Sequence, residues 1–418
     1  MANLSKPREA ALRALVACEK DGAYLNLVLR DILNKEGMDP RDNALATTIA
    51  FGVMKNALFL DNIIANLSKV KLKKLSVWIH NILRIGIFCN RFLDRIPVSA
   101  TVNECVRLAR RYGHRASAGF VNALLRASLD SGDFLPEDKD SISYISIKYS
   151  IPVWLVEMWK KEGYGEEFFA AMNLEPPVTV RLNTLRCDSL PENFENIPHL
   201  PHGYNYLGGG SVENTPLFKE GKIAVQDGAS QMAISALDVG EGMRVLDLCS
   251  APGGKTAYMA QLMKNTGEII SCDIHEHKLQ LIESNLSRLG VTNTTVILND
   301  ATAVRDDFKD SFDRVLADVP CSGLGVLRRK PDIKWTKTET INEELSKIQQ
   351  KILENAACYV KKGGKLMYST CTINRIENED AVQNFLKNHP NFTLLEKRQL
   401  LPHTDNTDGF FYAVLERK

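Results

Sequence analysis

The sequence lacks a long apolar run and has almost no net charge. Its 418 residues include 52 lysines and arginines and 51 aspartates and glutamates, so the formal net charge at pH 7 is +1. Because the chain is not a polycation, any affinity for nucleic acid must come from local basic patches. No apolar run reaches the length of a membrane span, and the charged, amphipathic start MANLSKPREAALRAL is unlike a signal peptide. We therefore expect a cytoplasmic protein without a membrane partner.

The nine cysteines contain no C-x-x-C pair and do not form a disulfide framework in a chain of this length. A zinc or other metal site is therefore not expected, and reduced thiols are the simplest interpretation. The apolar fraction of 44% and the charged fraction of 25% are typical of a globular protein. A chain of 418 residues is longer than a single hydrophobic core usually accommodates, so two or three domains are expected.

Hydrophobic periodicity divides the chain into three regions. Apolar residues recur at three- and four-residue steps up to about Leu129, as in YLNLVLRDIL, and predict an all-α domain over residues 1–135. After the polar, turn-rich SGDFLPEDKDS, residues 142–225 mix helix-like and strand-like stretches and predict a small α+β domain. Strands and helices then alternate over residues 226–418, which predicts an α/β domain with a doubly wound, mostly parallel sheet.

Two groups of basic residues lie in the helical region. The first contains Lys69, Lys71, Lys73 and Lys74, and the second contains Arg107, Arg110, Arg111 and Arg115. Two such groups in one small domain favour contacts with nucleic-acid phosphates, although a solvated helix face would also explain each group alone. A third run, Arg328-Arg329-Lys330, follows a Pro-Cys pair and is placed to contact phosphates, with a solvated loop as the alternative.

Each predicted strand of the α/β region ends in polar or small residues. The strands are MRVLDLCS, EIISCDI, TTVILND, FDRVLADVP and GGKLMYSTC. Their unusual terminal residues are Asp247, Asp273, Asp300, Asp318 and Cys371. Because ligands of doubly wound sheets bind beyond the carboxyl ends of the strands, we expect these residues to line one site.

The loop DLCSAPGGKTA after the first of these strands ends like a phosphate-binding loop but lacks its first glycine. The pattern G-x-x-x-x-G-K-[ST] needs a glycine where this sequence has Cys249, and the adjacent Gly253 and Gly254 do not match G-x-G-x-x-G. Asp273, 19 residues beyond Gly254, is placed to accept both hydroxyls of a ribose, and Asp300 is placed to reach an adenine edge. An adenosine without phosphates fits this pattern, and S-adenosylmethionine is the commonest such ligand. Strand-end caps are the alternative for each acid alone.

Cys321 and Cys371 each lie just past the end of a predicted strand and are flanked by small polar residues. If the two strands are neighbours, both thiols face one crevice. A methyltransferase acting on C5 of a pyrimidine needs such a thiol, because C5 attacks a sulfonium methyl group only after a thiolate has added to C6. Asp318, three residues before Cys321, is placed to hydrogen-bond the N3–N4 edge of a cytosine.

Three motifs carry a resemblance to a known family. LDLCSAPGGKTA, DRVLADVPCSGLGVLRRKPDIKW and GGKLMYSTCTINRIENE resemble motifs of the RNA (cytosine-5)-methyltransferases, which have a seven-stranded Rossmann-like fold and use S-adenosylmethionine. The resemblance implies that Cys371 of the Thr-Cys pair is the nucleophile and that Cys321 of the Pro-Cys pair helps product release. DNA cytosine-5 methyltransferases use the cysteine of the Pro-Cys pair as nucleophile instead, so no DNA partner is expected.

The resemblance also implies the cofactor contacts. Asp273 is expected at the ribose, Asp300 at the adenine side, and Asp318 at the junction between cofactor and base. The methionine end is expected to lie on Cys249, Ser250, Ala251, Pro252, Gly253, Gly254 and Lys255. Ser250 stands where the family pattern leads us to expect alanine, and because serine is also small we expect little effect.

PREAALRAL, FGVMKN and the stretch from IPVSATVNECVRLARRYG to FVNALLRA resemble the NusB-type RNA-binding domain. Such a domain ahead of this catalytic domain is similar to the layout of the bacterial 16S ribosomal RNA (cytosine-5)-methyltransferases. The resemblance therefore implies 16S ribosomal RNA as the partner, and we further expect a monomer. Methylation of transfer RNA is one alternative. An RNA-binding or assembly role without catalysis is another, and intact Cys321, Cys371 and Asp318 argue against it.

Overall fold

The computed structural model describes residues 6–338 and 341–418. The helices are α1 (Lys6–Asp21), α2 (Leu25–Glu36), α3 (Pro40–Lys55), α4 (Ala57–Leu67), α5 (Val77–Phe92), α6 (Val98–Tyr112), α7 (Ser117–Ala127), α8 (Ile142–Tyr149), α9 (Val153–Lys161), α10 (Glu166–Met172), α11 (Pro216–Lys219), α12 (Gly228–Leu237), α13 (Gly254–Leu262), α14 (Glu276–Leu289), α15 (Ile333–Thr336), α16 (Ile341–Tyr359) and α17 (Glu379–Asn388). The strands are β1 (Thr179–Leu182), β2 (Phe194–Asn196), β3 (Gly203–Tyr206), β4 (Ile223–Val225), β5 (Arg244–Asp247), β6 (Glu268–Asp273), β7 (Thr294–Leu298), β8 (Phe312–Asp318), β9 (Val360–Thr370), β10 (Phe392–Leu400) and β11 (Phe410–Arg417).

The chain divides into two compact units. The helical unit consists of Met1–Leu174 with Leu327–Lys337, and the sheet unit consists of Glu175–Val326 with Thr338–Lys418. The three domain boundaries expected from the sequence stay a prediction.

Helices α1 to α10 and α15 belong to the helical unit. Leu12 and Leu15 of α1 are among the buried residues of its core, and their three-residue spacing places them on one helix face. α3 begins at Pro40, and the side chain of Asp39 caps it by accepting two backbone N–H hydrogen bonds. Within the described residues, no single helix is long and apolar enough to cross a membrane, whereas α3 and α4, bent by 74° at their junction, pass that test as a pair.

The sheet unit contains two sheets. The larger has the order β10-β11-β9-β8-β5-β6-β7, and the smaller, antiparallel sheet has the order β2-β3-β1-β4. In the larger sheet β11 runs antiparallel to both of its neighbours, and the pairs formed by β5 to β9 are parallel. Successive residues of β5 face opposite sides: Val245 packs in one core cluster with residues of α12 and α13, and Leu246 packs in another with residues of α16 and α17. The predicted mixture of an all-α region, a small α+β region and a seven-stranded α/β region is confirmed.

The order of strands along the chain reverses at β5, which lies between β6 and β8. Doubly wound sheets bind ligands outside the carboxyl ends of the strands at such a point. Asp247 ends β5, Asp273 ends β6 and Asp318 ends β8. Asp300 follows β7 by two residues, and Cys371 follows β9 directly. The five strands predicted from the sequence are therefore β5 to β9, and their polar terminal residues lie at one edge of the sheet.

Candidate active site

The loop between β5 and α13 is held on the end of β6. The backbone N–H and the hydroxyl of Ser250 both donate to the carbonyl oxygen of Cys272, at 2.8 and 2.9 Å. Gly253 precedes α13 with a φ of +91°, and a β-carbon there would lie 3.3 Å from Cγ2 of Ile282. Because other residues disfavour this left-handed conformation, glycine lets the loop turn sharply into the helix.

Ser250 takes part in a chain of buried polar groups under the loop. The hydroxyl of Ser271 donates to that of Ser250 at 2.7 Å and lies 3.4 Å from the hydroxyl of Thr256, which donates to Asp247 at 2.6 Å. Burial raises the pKa of the Asp247 carboxyl to about 7, although the hydrogen bond from Thr256 opposes the rise. Alanine at position 250 would remove an acceptor from this chain. The small effect expected for the serine stays a prediction.

A cleft of about 270 Å³ lies beyond the ends of β5 to β8. Of the predicted cofactor residues, those that line it are Cys249, Ala251, Asp273, Asp300 and Asp318. The predicted residues outside its lining are Ser250, Pro252, Gly253, Gly254 and Lys255. Lys278 also lines the cleft, which therefore holds three carboxylates and one lysine. Such a lining attracts a cation and repels a phosphate.

Asp273 and Asp300 also hydrogen-bond within their own loops. Asp273 accepts from the N–H of Ala251 at 3.3 Å and from that of His275 at 3.0 Å. Asp300 accepts from the N–H and the hydroxyl of Thr302 at 2.9 and 2.7 Å. Both acids are therefore strand-end caps. Because a carboxylate offers about four acceptor positions, capping leaves capacity for a ligand.

Asp318 connects the glycine loop with β9. One of its oxygens accepts from the ammonium group of Lys255 at 2.7 Å, and the other accepts from the hydroxyl of Ser369, also at 2.7 Å. Burial acts to lower the pKa of Lys255, but the charge of Asp318 and the hydrogen bond to it outweigh burial and raise that pKa above its usual value. Lys255 is therefore a charged partner of Asp318.

The thiols of Cys321 and Cys371 are in contact. Because β8 and β9 pair in parallel, with Asp318 opposite Ser369, the loops that carry the two cysteines leave the sheet at one edge. The two sulfur atoms lie 3.3 Å apart, which is a hydrogen-bonding distance and too long for a disulfide. The pKa of Cys321 is raised well above its usual value, first by the hydrogen bond to Cys371, then by burial and by the charge of Cys371. The fold thus brings together two cysteines that are 50 residues apart in the sequence.

Two glycines allow the cysteine loops to approach the end of the chain. The N–H of Gly325 donates to the carbonyl oxygen of Cys371 at 3.0 Å, and the N–H of Gly409 donates to the carbonyl oxygen of Gly325 at 2.9 Å. A β-carbon on Gly325 would lie 1.9 Å from the carbonyl oxygen of Gly409, so a larger residue forces the backbone to move. No sequence pattern predicted a role for either glycine.

Glu377 is a further polar residue whose role is not predicted by the motifs. It is fully buried, and both of its carboxylate oxygens accept hydrogen bonds from Ser322, the residue after Cys321. A signal was present, because Glu377 lies in the RIENE segment at the end of the third motif. The contact itself could not be read from the sequence, since Ser322 and Glu377 are 55 residues apart.

The predicted basic groups belong to the helical unit. Those that are exposed are Lys69, Lys71, Lys73, Lys74, Arg110, Arg111 and Arg115. Arg107 pairs with Glu104 at 2.6 Å, and Arg111 pairs with Glu9 at 3.2 Å. Of the third run, Lys330 is exposed and Arg329 is half-buried, whereas Arg328 is buried. The burial of Arg328 argues against the phosphate contact predicted for it.

Known proteins match both regions of the chain. The family model described as 16S rRNA methyltransferase RsmB/F matches residues 234–416, and the NusB family model matches residues 5–130. A protein of Bacillus subtilis named probable ribosomal RNA small subunit methyltransferase B is 35% identical over 442 residues, which cover 98% of this chain and 98% of that protein.

Two crystal structures share the fold. That of a protein named PH0851 covers 100% of both chains with a TM-score of 0.82 and 28% identity. That of a methyltransferase homolog protein from Pyrococcus horikoshii covers 67% of this chain and 99% of its own, with a TM-score of 0.58 and 28% identity. The NusB-like character of the helical region and the Rossmann-like methyltransferase character of the larger sheet, both expected from the sequence, are confirmed.

Proposed function

The chain belongs to the 16S rRNA methyltransferase RsmB/F family, and we propose that it transfers a methyl group from S-adenosylmethionine to C5 of a cytosine in 16S ribosomal RNA. The contact between the thiols of Cys321 and Cys371 carries this proposal. Methyl transfer to an exocyclic amine or a hydroxyl needs no thiol, whereas C5 of cytosine becomes a nucleophile only after a thiolate has added to C6.

The contact between the two sulfurs supports Cys371 as the nucleophile. The pKa of Cys321 is raised well above its usual value, first by its hydrogen bond to Cys371, so we assign the proton of the pair to Cys321 and the thiolate to Cys371. The thiolate is the reactive form of cysteine. This assignment agrees with the roles that the Thr-Cys and Pro-Cys pairs imply.

The two thiols return to their starting protonation states at the end of the reaction. Cys371 gives an electron pair to C6, and the displaced pair of the C5–C6 double bond becomes available at C5. With the cofactor bound, C5 would use this pair to bind the methyl group, while the bond from that group to the sulfonium sulfur would break and leave its electron pair on the sulfur. Once its sulfur is bonded to carbon, Cys371 no longer accepts a hydrogen bond, which removes the first cause of the raised pKa of Cys321. Cys321 then releases its proton to solvent and takes the proton from C5. The C5–H electron pair restores the double bond, and Cys371 leaves C6 as a thiolate.

The acid-lined cleft fits the cofactor. S-adenosylmethionine supplies the methyl group on a positively charged sulfur, and Asp273, Asp300 and Asp318 make the lining of the cleft negative. We assign Asp273 to the ribose hydroxyls, Asp300 to the adenine side and Asp318 to the junction with the base. The loop from Cys249 to Lys255 is assigned to the methionine end.

The helical unit supplies the contacts with RNA in this proposal. Its exposed lysines and arginines are of the kind that bind phosphates, and a cytosine must be unpaired or flipped out of a helix to reach the thiols. The name of the Bacillus subtilis relative favours ribosomal over transfer RNA. That the protein acts as a monomer and that it acts in the cytoplasm both stay predictions.

The substrate is tested by incubating the protein with methyl-labelled S-adenosylmethionine and either deproteinised 16S ribosomal RNA or transfer RNA. We expect label in the ribosomal RNA, recovered as 5-methylcytidine after digestion to nucleosides. Label confined to transfer RNA would show that transfer RNA is the substrate instead of 16S ribosomal RNA. Label in a nucleoside other than 5-methylcytidine would contradict the thiol chemistry. No label in either RNA would favour a binding role without catalysis.

A further inference from the structure

Glu377 is a buried carboxylate whose hydrogen bonds come from three segments of the sheet unit. Ser322 donates its N–H at 2.9 Å and its hydroxyl at 2.5 Å. Gln349 of α16 and Asn374 of the loop after β9 each donate a side-chain N–H at 2.8 Å. Each carboxylate oxygen thus accepts two hydrogen bonds, and these offset the cost of burying a side chain that has 0% exposure.

These hydrogen bonds determine where the two cysteine loops lie. The hydroxyl of Ser322 also lies 2.7 Å from that of Thr372, so the residue after Cys321 contacts the residue after Cys371. The amide of Gln349 that binds the carboxylate also donates at 2.9 Å to the carbonyl oxygen of the residue before Cys321. Both neighbours of Cys321 are therefore fixed by the groups that surround the buried carboxylate.

The charge of Glu377 also acts on the thiol pair. The hydrogen bond to Cys371, burial and the charge of Cys371 come first among the causes of the raised pKa of Cys321, and the charge of Glu377 adds to them. The four hydrogen bonds come from a hydroxyl and three amides, which are neutral and do not cancel that charge. A charge buried away from water acts strongly on its neighbours.

We propose that Glu377 is a positioning residue that holds the thiols of Cys321 and Cys371 in contact and keeps their shared proton on Cys321. The inference rests on the proposed function for its consequence in catalysis. Cys371 is then ready to attack, and Cys321, once it has lost its proton, is a stronger base for the proton on C5.

The variant Glu377→Gln tests this in the protein without RNA. It keeps the shape of the side chain, removes the charge and replaces one acceptor oxygen by a donor. Alkylation by iodoacetamide is followed at each cysteine by peptide mass spectrometry over the pH range in which thiols titrate. In the unaltered protein, Cys371 should react at lower pH than Cys321. In the variant, the midpoint of Cys321 should fall by about one pH unit, while the exposed Cys358 serves as an internal reference and stays unchanged.

A second measurement follows methyl transfer to 16S ribosomal RNA. Glu377→Gln should release product about tenfold more slowly and accumulate the covalent RNA adduct, because Cys321 has become a weaker base. Glu379→Gln is the matched control, since Glu379 lies two residues further along and pairs with Lys397 at the surface. This control should leave both the alkylation midpoints and the product release unchanged.

Thermal unfolding shows whether each variant is folded, and Glu377→Asp replaces the Gln variant if the latter is not. The Asp variant keeps the charge but shortens the side chain, so its Cys321 midpoint should fall by less than one pH unit, and it should still slow product release. A folded Gln variant with an unchanged Cys321 midpoint would overturn the inference, as would an Asp variant with unaltered release. Absence of methyl transfer in the unaltered protein would contradict the proposed function alone, because the alkylation midpoints are measured without RNA.

Discussion

The sheet unit and the helical unit hold their polar residues in different ways. At the end of the larger sheet, Asp318 has a separate partner for each oxygen, and the sulfurs of Cys321 and Cys371 touch at 3.3 Å. In the helical unit, the lysines between Lys69 and Lys74 project from an exposed turn between α4 and α5. The chemistry of the thiols therefore depends on single atoms, whereas affinity for phosphates is the sum of charges that can replace one another.

This difference predicts that single substitutions at the thiol pair have large effects on methyl transfer and that substitutions on the basic surface have smaller, salt-dependent effects on RNA binding. The largest effect is expected for Cys371→Ala. Without the nucleophile, methyl transfer to 16S ribosomal RNA should fall about 10⁴-fold, and no covalent adduct should form. Transfer of labelled methyl groups and a denaturing gel measure the two quantities. Cys358→Ala, at an exposed thiol, should behave like the unaltered protein.

A smaller but qualitatively different effect is expected for Cys321→Ala. The nucleophile is still present, so C6 is attacked and C5 is methylated, but the base that removes the C5 proton is absent. Turnover should fall about 10²-fold, and a covalent RNA–protein complex should accumulate on a denaturing gel. If Cys371→Ala formed the complex and Cys321→Ala did not, the two roles would be reversed.

The helical unit also contains a cluster of charged residues that cannot replace one another, unlike the lysines on its surface. Asp61 accepts hydrogen bonds from Arg84 at 2.7 and 2.6 Å and contacts His80 at 2.7 Å. Burial acts to raise the pKa of Asp61, but the bonds from Arg84 and His80 outweigh it and lower that pKa. Asp61→Asn removes the carboxylate that Arg84 contacts most closely and leaves it Glu19, at 3.2 Å, so the free energy of unfolding should fall by about 3 kcal/mol.

The sign of the pH dependence follows from the lowered pKa. The carboxylate of Asp61 contributes its stability above the pKa of an unfolded aspartate, near 3.9, and that contribution is lost as the pH falls through the lower folded value. Thermal denaturation at neutral and at acid pH should therefore show a difference between the unaltered protein and Asp61→Asn that shrinks on acidification. A difference that does not depend on pH would contradict this account of the cluster.

The smallest single effects are expected on the basic surface. Replacing Lys71, Lys73 and Lys74 together by alanine should weaken binding of 16S ribosomal RNA about tenfold at physiological salt. The slope of log affinity against log salt should become shallower by about two to three. At saturating RNA, adduct formation should be unchanged, because the thiols are untouched. An unaltered salt dependence would remove these lysines from the RNA-binding surface.

The sheet and its carboxyl edge could be predicted from the sequence because their signals are local. Strands β5 to β9 alternate with helices, and each ends in residues such as Asp273 or Asp318 that are unusual after a buried strand. The missing first glycine at Cys249 excluded a phosphate-binding loop without any structure. Parallel pairing then brings these ends together whatever the loops do.

The contacts that depend on how the loops fold could not be predicted from the sequence. Two of the three residues that donate to Glu377 are 28 and 55 positions away in the sequence, and no periodicity relates them to it. Arg328 lies in a basic run that predicts contacts with phosphates, but its side chain is buried. The hydroxyl of Ser250 joins a buried chain of hydrogen bonds, which the small size of serine alone does not predict.

The central claim is that the sulfur of Cys371 bonds to C6 of a cytosine, and it is tested most directly with the unaltered protein. A 16S ribosomal RNA transcript made with 5-fluorocytidine carries at C5 a fluorine that a base cannot remove as a proton, so the adduct persists after methyl transfer. Digestion with nuclease and protease, followed by mass spectrometry, locates the modified nucleotide on one peptide. We predict that it is attached to Cys371. Attachment to Cys321, or methylation of the unmodified transcript together with no adduct at either cysteine, would contradict the account.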